Sequence, residues 1–371
     1  MVIGGIFMKK KMEAICPYCF TKLVKSKVFF KCCKETFPSK SISKMKGNCK
    51  SCKKTTTTRI CGHCTAELPY TFGLQKEVVI SVIGAKEAGK SHYIGVLLNK
   101  IMNEMGMAFH CALQPLSDET IRRYREDFHN PLFKNKETLQ VTMSARSDKK
   151  VQRPLLYNLS FFGKNIFGKK VIKSVITLAF FDTAGEDMND EDTMATVNKY
   201  IYNSSGIIFL LDPLQITEVR ERLEGKIPLP YQNSEVEDLL SRTANLIKKG
   251  RDILPNQLIN IPVAVSFSKM DALDDIIDGS SIVKNNSPHI ESQAINKQDF
   301  EDVHHQMQNY ITRFGGGHFI SQINANFINY SCFGISALGS NPKDAKITNT
   351  LQPRRVEDPF LWLLWKNKII S

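Results

Sequence analysis

The sequence predicts an α/β protein, a three-layer sandwich, preceded by a small cysteine-rich module. Three observations lead to this prediction. After residue 74, β-branched runs of strand length alternate with helical patterns; a glycine-rich loop follows the first of these runs; and eight of the ten cysteines lie between positions 16 and 64. We therefore expect a tandem zinc-ribbon module at 13–66 and a P-loop domain at 74–371.

The positive charge of the chain is concentrated ahead of the glycine-rich loop. Residues 1–80 hold sixteen Lys or Arg and four Asp or Glu, whereas residues 81–371 hold 34 basic and 33 acidic residues, so +12 of the net +13 belongs to the head. Two zinc ions, each bound by four thiolates, would lower this to about +8. Because the aromatic residues of the head follow no nucleic-acid-binding motif, docking to a protein is favoured over binding to RNA or DNA.

The cysteines of the head form pairs typical of zinc knuckles. No secretory signal is visible and no apolar run approaches a membrane span, so we expect a cytoplasmic protein without a membrane partner. In that compartment, thiolates two residues apart bind a shared zinc ion rather than forming disulfides. The stronger predicted site is Cys49, Cys52, Cys61 and Cys64.

The second predicted zinc site combines Cys16 and Cys19 with the adjacent Cys32 and Cys33. Neighbouring side chains point apart on an extended chain, so either only one of the adjacent pair binds directly or a ligand comes from elsewhere. His63 lies inside a knuckle, where a solvated spacer is favoured over a ligand.

The glycine-rich loop follows an apolar strand that ends at Gly84, and a helical pattern begins behind it. Its spacing, G-x-x-x-x-G-K-S, predicts a phosphate-binding loop, because backbone N–H groups then point at phosphates from the positive end of a helix dipole. We expect Lys90 to reach the β- and γ-phosphates as a catalytic group and Ser91 to bind Mg²⁺. The predicted nucleotide contacts here are Gly84, Ala85, Lys86, Glu87, Ala88, Gly89, Lys90, Ser91 and His92.

Two later segments are candidates for the rest of the magnesium site. The polar stretch from Lys134 to Arg153 holds Thr142 and Thr138 as alternatives for a threonine ligand of Mg²⁺. A predicted hairpin of Leu155–Phe162 and Val171–Phe181 then runs into D-T-A-G-E. We expect Asp182 to hold Mg²⁺ through water, Gly185 to place its N–H at the γ-phosphate, and Glu186 to stand where Ras-like enzymes orient the attacking water.

Two motifs predict that the base is guanine. The buried strand Ile261–Phe267 leads into S-K-M-D, similar to the N/T-K-x-D motif of GTPases, in which Asp271 accepts from guanine, the Lys269 stem stacks on the ring, and Ser268 replaces the usual first residue. The strand Ile328–Ile335 leads into Ser336 and Ala337, similar to the S-A-K loop. The order of all four motifs predicts a Ras-like GTPase, a P-loop NTPase.

Several segments of the chain together resemble a known protein family. The segments C-P-Y-C-F, G-A-x-x-A-G-K-S-x-Y-I, F-F-D-T-A-G-E-D and G-I-I-F-L-L-D-P-L-Q are similar to those of bacterial double-GTPase-type proteins, in which zinc ribbons precede a Ras-like GTPase domain. The resemblance implies GTP, Mg²⁺ and Zn²⁺ as cofactors and membership of bacterial conflict or defence systems. It also implies a protein partner, either an effector or a second GTPase, and leaves a nucleotide-dependent homodimer open.

Two functions from different classes compete. The first is a slow GTPase that acts as a switch, and the second is a non-hydrolysing GTP-binding scaffold whose zinc head binds a protein or a nucleic acid. Three further expectations concern packing. His304 and His305 are placed on a solvated helix face, Leu273–Lys297 is interpreted as an exposed insertion, and Asp358-Pro359 is expected to cap a closing helix that carries two core tryptophans.

Overall fold

The structure is a computed structural model, and its described residues are 14–24, 27–33, 35–74, 76–139, 153–181, 199–231, 236–342, 345–347 and 350–371. The chain forms two compact units, Met1–Glu77 and Val78–Ser371.

The N-terminal unit consists of short antiparallel pairings. Strands β1 (Ala14–Ile15) and β2 (Lys22–Leu23) pair with each other, as do β5 (Gly47–Asn48) and β6 (Thr55–Thr56). Between these pairs lies a three-stranded sheet in the order β4-β3-β7, formed by Glu35–Pro38, Val28–Cys32 and Arg59–Cys61. Such short strands bury little apolar surface, so the unit needs other sources of stability.

Part of that stability comes from a small core around a buried arginine. The core residues are Ala14, Cys16, Leu23, Val28, Ile42, Cys61, Leu68 and Phe72. Two of them, Leu68 and Phe72, lie beyond residue 66, where the sequence predicts that the module ends. Arg59 is only 1% exposed and donates to the carbonyl oxygens of Ile42, Pro69 and Tyr70 at 2.7–3.2 Å. These bonds give both terminal nitrogens of the buried guanidinium a partner and tie residues 69–70 to the sheet.

The second unit is built on a seven-stranded sheet in the order β14-β13-β12-β8-β11-β10-β9. Strands β8, β12, β13 and β14 form its parallel part, whereas β10 pairs antiparallel with both β9 and β11. Their bounds are β8 Lys76–Gly84, β9 Cys111–Pro115, β10 Leu155–Lys164, β11 Lys170–Phe181, β12 Gly206–Leu211, β13 Val263–Phe267 and β14 Tyr330–Gly334. The parallel strands are almost continuously apolar, as expected for strands covered on both faces.

The helices of this unit connect and cover the strands. In chain order they are α1 (Lys90–Lys100), α2 (Gly106–Ala108), α3 (Asp118–Arg123), α4 (Thr217–Leu223), α5 (Val236–Gly250), α6 (Pro288–Glu291), α7 (Lys297–Arg313), α8 (Gly317–Asn326) and α9 (Asp358–Lys366). Wider π-helical turns occupy Ile101–Met105 and Tyr124–Asn135, and short 3₁₀ turns occupy Pro213–Gln215, Met270–Leu273 and Ile282–Lys284. The result is the expected α/β sandwich with a Ras-like arrangement of strands.

The stretch Leu273–Lys297 was expected to be an exposed insertion, and this expectation is wrong for its apolar and histidine side chains. Ile277, Val283 and His289 are buried, the last completely. Arg355, which lies just before α9, contacts this stretch and donates to the carbonyl oxygens of Ile282 and Asn285 at 3.2 and 3.1 Å. A long-range arginine contact of this kind leaves no local signal in a polar sequence.

Two side-chain predictions for the helices also need correction. His304 is half-buried rather than solvated, because its Nδ1 accepts the backbone N–H of Cys332 in β14 at 3.0 Å. Asp358 is the first residue of α9 but makes no cap; its carboxylate is fully buried and accepts from Arg355 at 2.8 Å. Of the two expected core tryptophans, Trp362 is buried, at 3% exposure, whereas Trp365 is only half-buried.

Candidate nucleotide site and metal centres

The carboxyl ends of the four parallel strands open onto one cavity of about 520 Å³. This is the edge where α/β sheets bind ligands, because the loops that follow adjacent strands meet there. The cavity is lined by residues of three predicted motifs: Lys86, Glu87, Gly89, Lys90, Ser91 and His92 after β8, Ser268, Lys269 and Asp271 after β13, and Ala337 after β14. The structure thus brings the phosphate loop and the base-reading motif to the same space.

The phosphate loop has the backbone shape that its glycines predict. Gly89 precedes α1 with a φ of 86°, a conformation that favours glycine, and Glu87 has a φ of 63°. Gly84 is needed for a different reason, since a Cβ there would lie 2.7 Å from the carbonyl oxygen of Leu210 on β12. These conformations turn the loop tightly from strand to helix, with the N-terminus of α1 facing the cavity.

Lys90 is held inside the loop. Its side chain is buried, and Nζ donates to the carbonyl oxygens of Gly84 at 2.9 Å and Ala85 at 2.8 Å. Ala85 and Ala88 are themselves buried, so of the predicted loop residues these two can offer a ligand only their backbone groups. The arrangement fixes a positive charge beside the loop, where phosphate oxygens would bind.

The base-reading side is organised around Asp271. Its Oδ1 accepts a short hydrogen bond from Ser336, whose hydroxyl also accepts the N–H of Gly339 at 2.9 Å. Ser336 is fully buried, so its side chain orients Asp271 rather than lining the cavity. Ser268 is likewise a structural group, because its hydroxyl donates to the carbonyl oxygen of Leu211 at 3.1 Å. The remaining carboxylate oxygen of Asp271 is the group placed to accept from a base.

Asp212, which directly follows β12, belongs to the site although none of the four motifs predicts it. Asp212 is buried; its Oδ1 accepts the N–H of Leu214 at 3.0 Å, and its Oδ2 lies 2.6 Å from Nζ of Lys269. A cap and an ion pair on one carboxylate hold the lysine stem along the wall of the cavity. The sequence signal that points to this residue is the Asp-Pro pair at the end of a buried strand.

His92 joins α1 to the segment that contains Thr138. Its Nε2 accepts the N–H of Leu139 at 3.1 Å, and both Thr138 and Leu139 line the cavity. Burial and the nearby charge of Lys269 lower the pKa of His92 to about 4, so the ring is neutral and can accept near pH 7. The other magnesium and catalytic candidates, Thr142, Asp182, Gly185 and Glu186, lie outside the described residues.

The cysteines of the head form two four-thiol clusters. One contains Cys16, Cys19, Cys61 and Cys64, and the other contains Cys32, Cys33, Cys49 and Cys52. The Sγ···Sγ distances are 3.8 Å for Cys16–Cys64, 3.8 Å for Cys19–Cys61, 3.5 Å for Cys32–Cys52 and 3.9 Å for Cys33–Cys49. A tetrahedral zinc ion with Zn–S bonds of about 2.3 Å requires sulfur atoms about 3.8 Å apart, so both clusters fit zinc.

The two clusters are nested in the sequence, because the first and last cysteine pairs form one cluster and the cysteines between them form the other. This arrangement contradicts the predicted grouping of Cys49 and Cys52 with Cys61 and Cys64. Because β3 and β7 are antiparallel, Cys61 lies opposite Val28 at the start of β3, whereas Cys32 lies at its end. Four residues of strand separate these positions by about 13 Å. The knuckle after β7 therefore meets the β1–β2 knuckle, and the β5–β6 knuckle meets the β3–β4 turn.

The expected conflict between Cys32 and Cys33 does not arise. Cys33 has a φ of 44°, so the chain turns there and both thiols face the same cluster. The residues after Cys19, Cys52 and Cys64 also have positive φ values of 56–61°, and each donates its N–H to the carbonyl oxygen of the first cysteine of its knuckle at 2.9–3.1 Å. All three knuckles share one backbone geometry, and His63 is an exposed spacer, as predicted.

A third group, His289 with Asp299 and Asp358, has the residue types of a metal site, but the nitrogen of His289 that faces the carboxylates is protonated. The Nδ1 of His289 accepts the N–H of Asn296 at 3.1 Å, so in the neutral ring the proton is on Nε2, the atom that faces the carboxylates. Arg355 already donates to both carboxylates at 2.8–3.0 Å. We interpret the group as a buried ion network that joins α6, α7 and α9.

A glycine-rich phosphate loop and an aspartate-based reader of the base, at the carboxyl edge of a parallel sheet, define a protein of the P-loop GTPase class. The model of the Double-GTPase 2 family matches residues 78–324. The chain belongs to this family and is a GTP-binding protein of that class. The resemblance derived from the motifs is confirmed.

Two individual proteins are similar to the chain. The putative ESX-1 scaffolding and assembly protein SaeC of Mycolicibacterium smegmatis is 24% identical over 325 residues, which cover 82% of this chain and 78% of that protein. The solved structure of the Arl6 BBS3 small GTPase from Trypanosoma brucei, with bound nucleotide analogue GppNp, is 12% identical with a TM-score of 0.32, over 80% of this chain and 100% of that chain. Within the described ranges, no helix has both the length and the apolar character that crossing a membrane requires.

Proposed function

We propose that this chain is a slow, Mg²⁺-dependent GTPase that acts as a nucleotide-controlled switch for a protein partner. The observation that carries the proposal is the single cavity onto which both Lys90 and Asp271 open. A guanine nucleotide would place its phosphates at the loop and its base at Asp271. No other cavity among the described residues combines a phosphate loop with a carboxylate that can accept hydrogen bonds from a base.

Each residue has a separate task in this proposal. Lys90 neutralises the phosphates, the loop N–H groups orient them, and Ser91 offers its hydroxyl to Mg²⁺, which would neutralise charge on the transferred phosphoryl group. Lys269, held by Asp212, covers one face of the base. Ala337 follows β14 and presents its backbone to the base edge. Asp182 and a threonine, Thr142 or Thr138, would complete the metal shell.

Hydrolysis is proposed to be slow because of Glu186. A carboxylate can accept from the attacking water but cannot donate to the γ-phosphate, and the phosphates repel its charge. Lys86 lines the cavity and is a candidate to act on the γ-phosphate or to restrict an incoming arginine. Sites without an arginine finger turn over at about 10⁻⁴–10⁻² per second, and a partner can add about 10³–10⁵.

The partner is proposed to be a protein that contacts the basic zinc head. The mycobacterial relative is named as a putative scaffolding and assembly protein, and we propose a related role in controlling the assembly of other proteins. A bacterial conflict or defence system, with an effector, a second GTPase or a second copy of the chain as partner, is the setting that the resemblance favours. Direct binding of nucleic acid by the head is the less favoured alternative.

The test of the nucleotide site compares GTP with ATP. Guanine offers Asp271 two donors that adenine lacks, and charged hydrogen bonds contribute about 1.5–3 kcal/mol each, so we expect at least about tenfold to hundredfold preference for GTP. Asp271→Ala should abolish the preference. Asp275→Ala is the matched control, because Asp275 is exposed and follows four residues later. Equal affinities of the native chain for GTP and ATP would contradict the proposal.

The competing function is a GTP-binding scaffold that does not hydrolyse GTP, and the name of the mycobacterial relative, a putative scaffolding and assembly protein, favours it. Turnover by the purified, zinc-loaded chain separates the two. A slow switch predicts about 10⁻⁴–10⁻² per second, lost in Lys90→Ala and changed in Glu186→Ala without loss of GTP affinity. A rate indistinguishable from that of Lys90→Ala would favour the scaffold, and several turnovers per second would exclude dependence on a partner.

A further inference from the structure

The hairpin formed by β10 and β11 continues beyond the body of the sheet. Edge strand β9 pairs with β10 up to Phe161, which lies opposite Cys111. The pairing of β10 with β11 goes on from Phe162↔Ile172 to Lys164↔Lys170. The outer part of the hairpin is thus a two-stranded ribbon that ends in the turn 165–169.

The end of this ribbon is apolar and exposed. Ile166 is 92% exposed and Phe167 is 77% exposed, and Ile172 on the adjoining strand is also exposed. The turn is well defined, because Oδ1 of Asn165 accepts the N–H groups of Phe167 at 2.9 Å and Lys169 at 3.0 Å. A structured turn that presents adjacent large apolar side chains to water indicates a surface that is covered by a partner.

The residues around the apolar tip are uniformly basic. Between Gly163 and Lys173 there are four lysines and no acidic residue, although residues 81–371 as a whole carry a net charge of only +1. Lys164 lies directly opposite Lys170, and like charges at such a position destabilise a β-ribbon. Lys170 is turned over the ring of Phe162, with Nζ 4.5 Å from its centroid. An anionic partner would relieve this repulsion.

We propose that this hairpin tip docks on an anionic lipid surface. Ile166 and Phe167 enter the boundary between headgroups and acyl chains, and the lysines of the two flanking strands lie at the level of the phosphates. The apolar side chains lie at the end of the tip and the lysines lie behind them. A lipid leaflet has the matching order of layers, with acyl chains inside and charged headgroups at its surface.

A lipid surface fits this tip better than an acidic protein does. All four cations are lysines, a residue type that is depleted in protein–protein interfaces, where arginine is enriched. Lysines near an anionic leaflet contribute about fivefold each to affinity. The expectation of no membrane partner rests on the lack of apolar runs long enough to span a membrane. Docking of this kind needs no spanning segment, so that expectation does not apply to it.

The first experiment is co-sedimentation of the full chain with vesicles of phosphatidylcholine containing about one third phosphatidylglycerol, compared with phosphatidylcholine alone. We expect binding to the anionic vesicles, weakened about tenfold in the double variant Ile166→Ser, Phe167→Ser, and about 25-fold in Lys164→Gln, Lys170→Gln, which removes two lysines that contribute about fivefold each. The control Tyr231→Ser removes a 91% exposed aromatic side chain from a different loop and should bind as the native chain does.

A second readout is needed because the basic head is also attracted to anionic vesicles. Phe167→Trp places an indole at the tip, and the two native tryptophans, buried Trp362 and half-buried Trp365, give a background that is measured on the native chain with the same vesicles. We expect a blue shift of the added emission with anionic vesicles. If the emission does not shift and the double serine variant binds as tightly as the native chain, the head alone is responsible and the proposal is wrong. The same result would leave an acidic protein as the occupant of the tip.

Discussion

At the scale of single residues, Asp212 and Lys269 are the pair that the structure adds to the predicted site. The 2.6 Å contact between Oδ2 and Nζ is charge-assisted, and the aspartate end is buried while the lysine stem is partly exposed. The lysine is therefore positioned before a nucleotide binds, which reduces the entropy that binding would otherwise lose.

We predict that Asp212→Asn weakens GTP binding by about threefold to tenfold, because the amide keeps the cap on Leu214 but loses the ion pair, and exposure of Lys269 limits the effect. The preference for GTP over ATP should remain, since Asp271 is intact. A fluorescent-nucleotide titration measures both quantities, with Asp275→Asn as the control. An unchanged GTP affinity would show that the lysine needs no such partner.

His304 gives a prediction for pH dependence. Burial, followed by the charge of His305, lowers its pKa to about 4, whereas an unfolded histidine titrates near 6.5. Below about pH 6.5 the unfolded chain therefore binds a proton that the folded chain does not, and stability falls until about pH 4. Allowing for partial exposure, the loss is about 1–2 kcal/mol.

The test is thermal unfolding of the native chain and of His304→Asn between pH 7.5 and pH 4.5. The asparagine Oδ1 can still accept from the N–H of Cys332 but does not titrate. We expect a smaller fall in the unfolding midpoint of the variant over this range. Parallel curves would mean that other groups, such as the buried His289, account for the whole acid response.

At the scale of elements, the β3–β7 pairing decides which cysteines share an ion. Knuckles that are adjacent in sequence, after β5 and after β7, lie at opposite ends of a strand pair. The outer cluster therefore closes a long loop, with Cys19 and Cys61 separated by 42 positions, whereas Cys33 and Cys49 of the inner cluster are separated by only 16. The long closure restricts the unfolded state more than a cluster of adjacent knuckles would.

We predict that paired substitutions distinguish the two groupings. Cys16→Ser with Cys64→Ser damages a single nested cluster and should leave about one zinc ion per chain, whereas Cys49→Ser with Cys64→Ser damages both clusters and should leave about none. Metal analysis of protein purified without chelator gives the count. The reverse pattern would restore the sequential grouping.

At the scale of the whole molecule, the chain consists of two units that hold themselves together by different means. The head has a small core and two four-thiol clusters that fit zinc, whereas the second unit has an extended apolar sheet covered by helices. Because a four-thiolate zinc site provides much of the folding free energy of so small a unit, the two should respond differently to loss of metal.

We predict that a strong chelator removes about two zinc ions and unfolds the N-terminal unit while GTP binding by the second unit survives. Limited proteolysis should then cleave within residues 14–74 and leave a protected fragment that includes the α/β domain. The control is the native chain with zinc restored, which should regain protease resistance. Parallel loss of GTP binding and of head structure would show that the units do not fold separately.

The sequence by itself determined the class of protein and the phosphate site. A buried strand, a glycine loop and a helix are contiguous, so Gly84, Gly89 and Lys90 could be assigned from spacing alone. The same holds for Asp271, which lies four residues after the end of β13, and for the paired cysteines of the head, whose type and spacing fit zinc. In each case the residues that act together are close in sequence or lie at the ends of recognisable strands.

Only the tertiary structure decided which distant groups meet. The nesting of the thiol clusters follows from the antiparallel register of β3 with β7, and the contact of Asp212 with Lys269 follows from the neighbouring positions of β12 and β13. The hydrogen bonds of Arg355 join the partly buried stretch Leu273–Lys297 to the segment before α9. These contacts join residues 16 to 73 positions apart, and strand register is set by packing of whole faces rather than by local spacing. Local sequence patterns therefore identified the residues of each site but not which distant residues they contact.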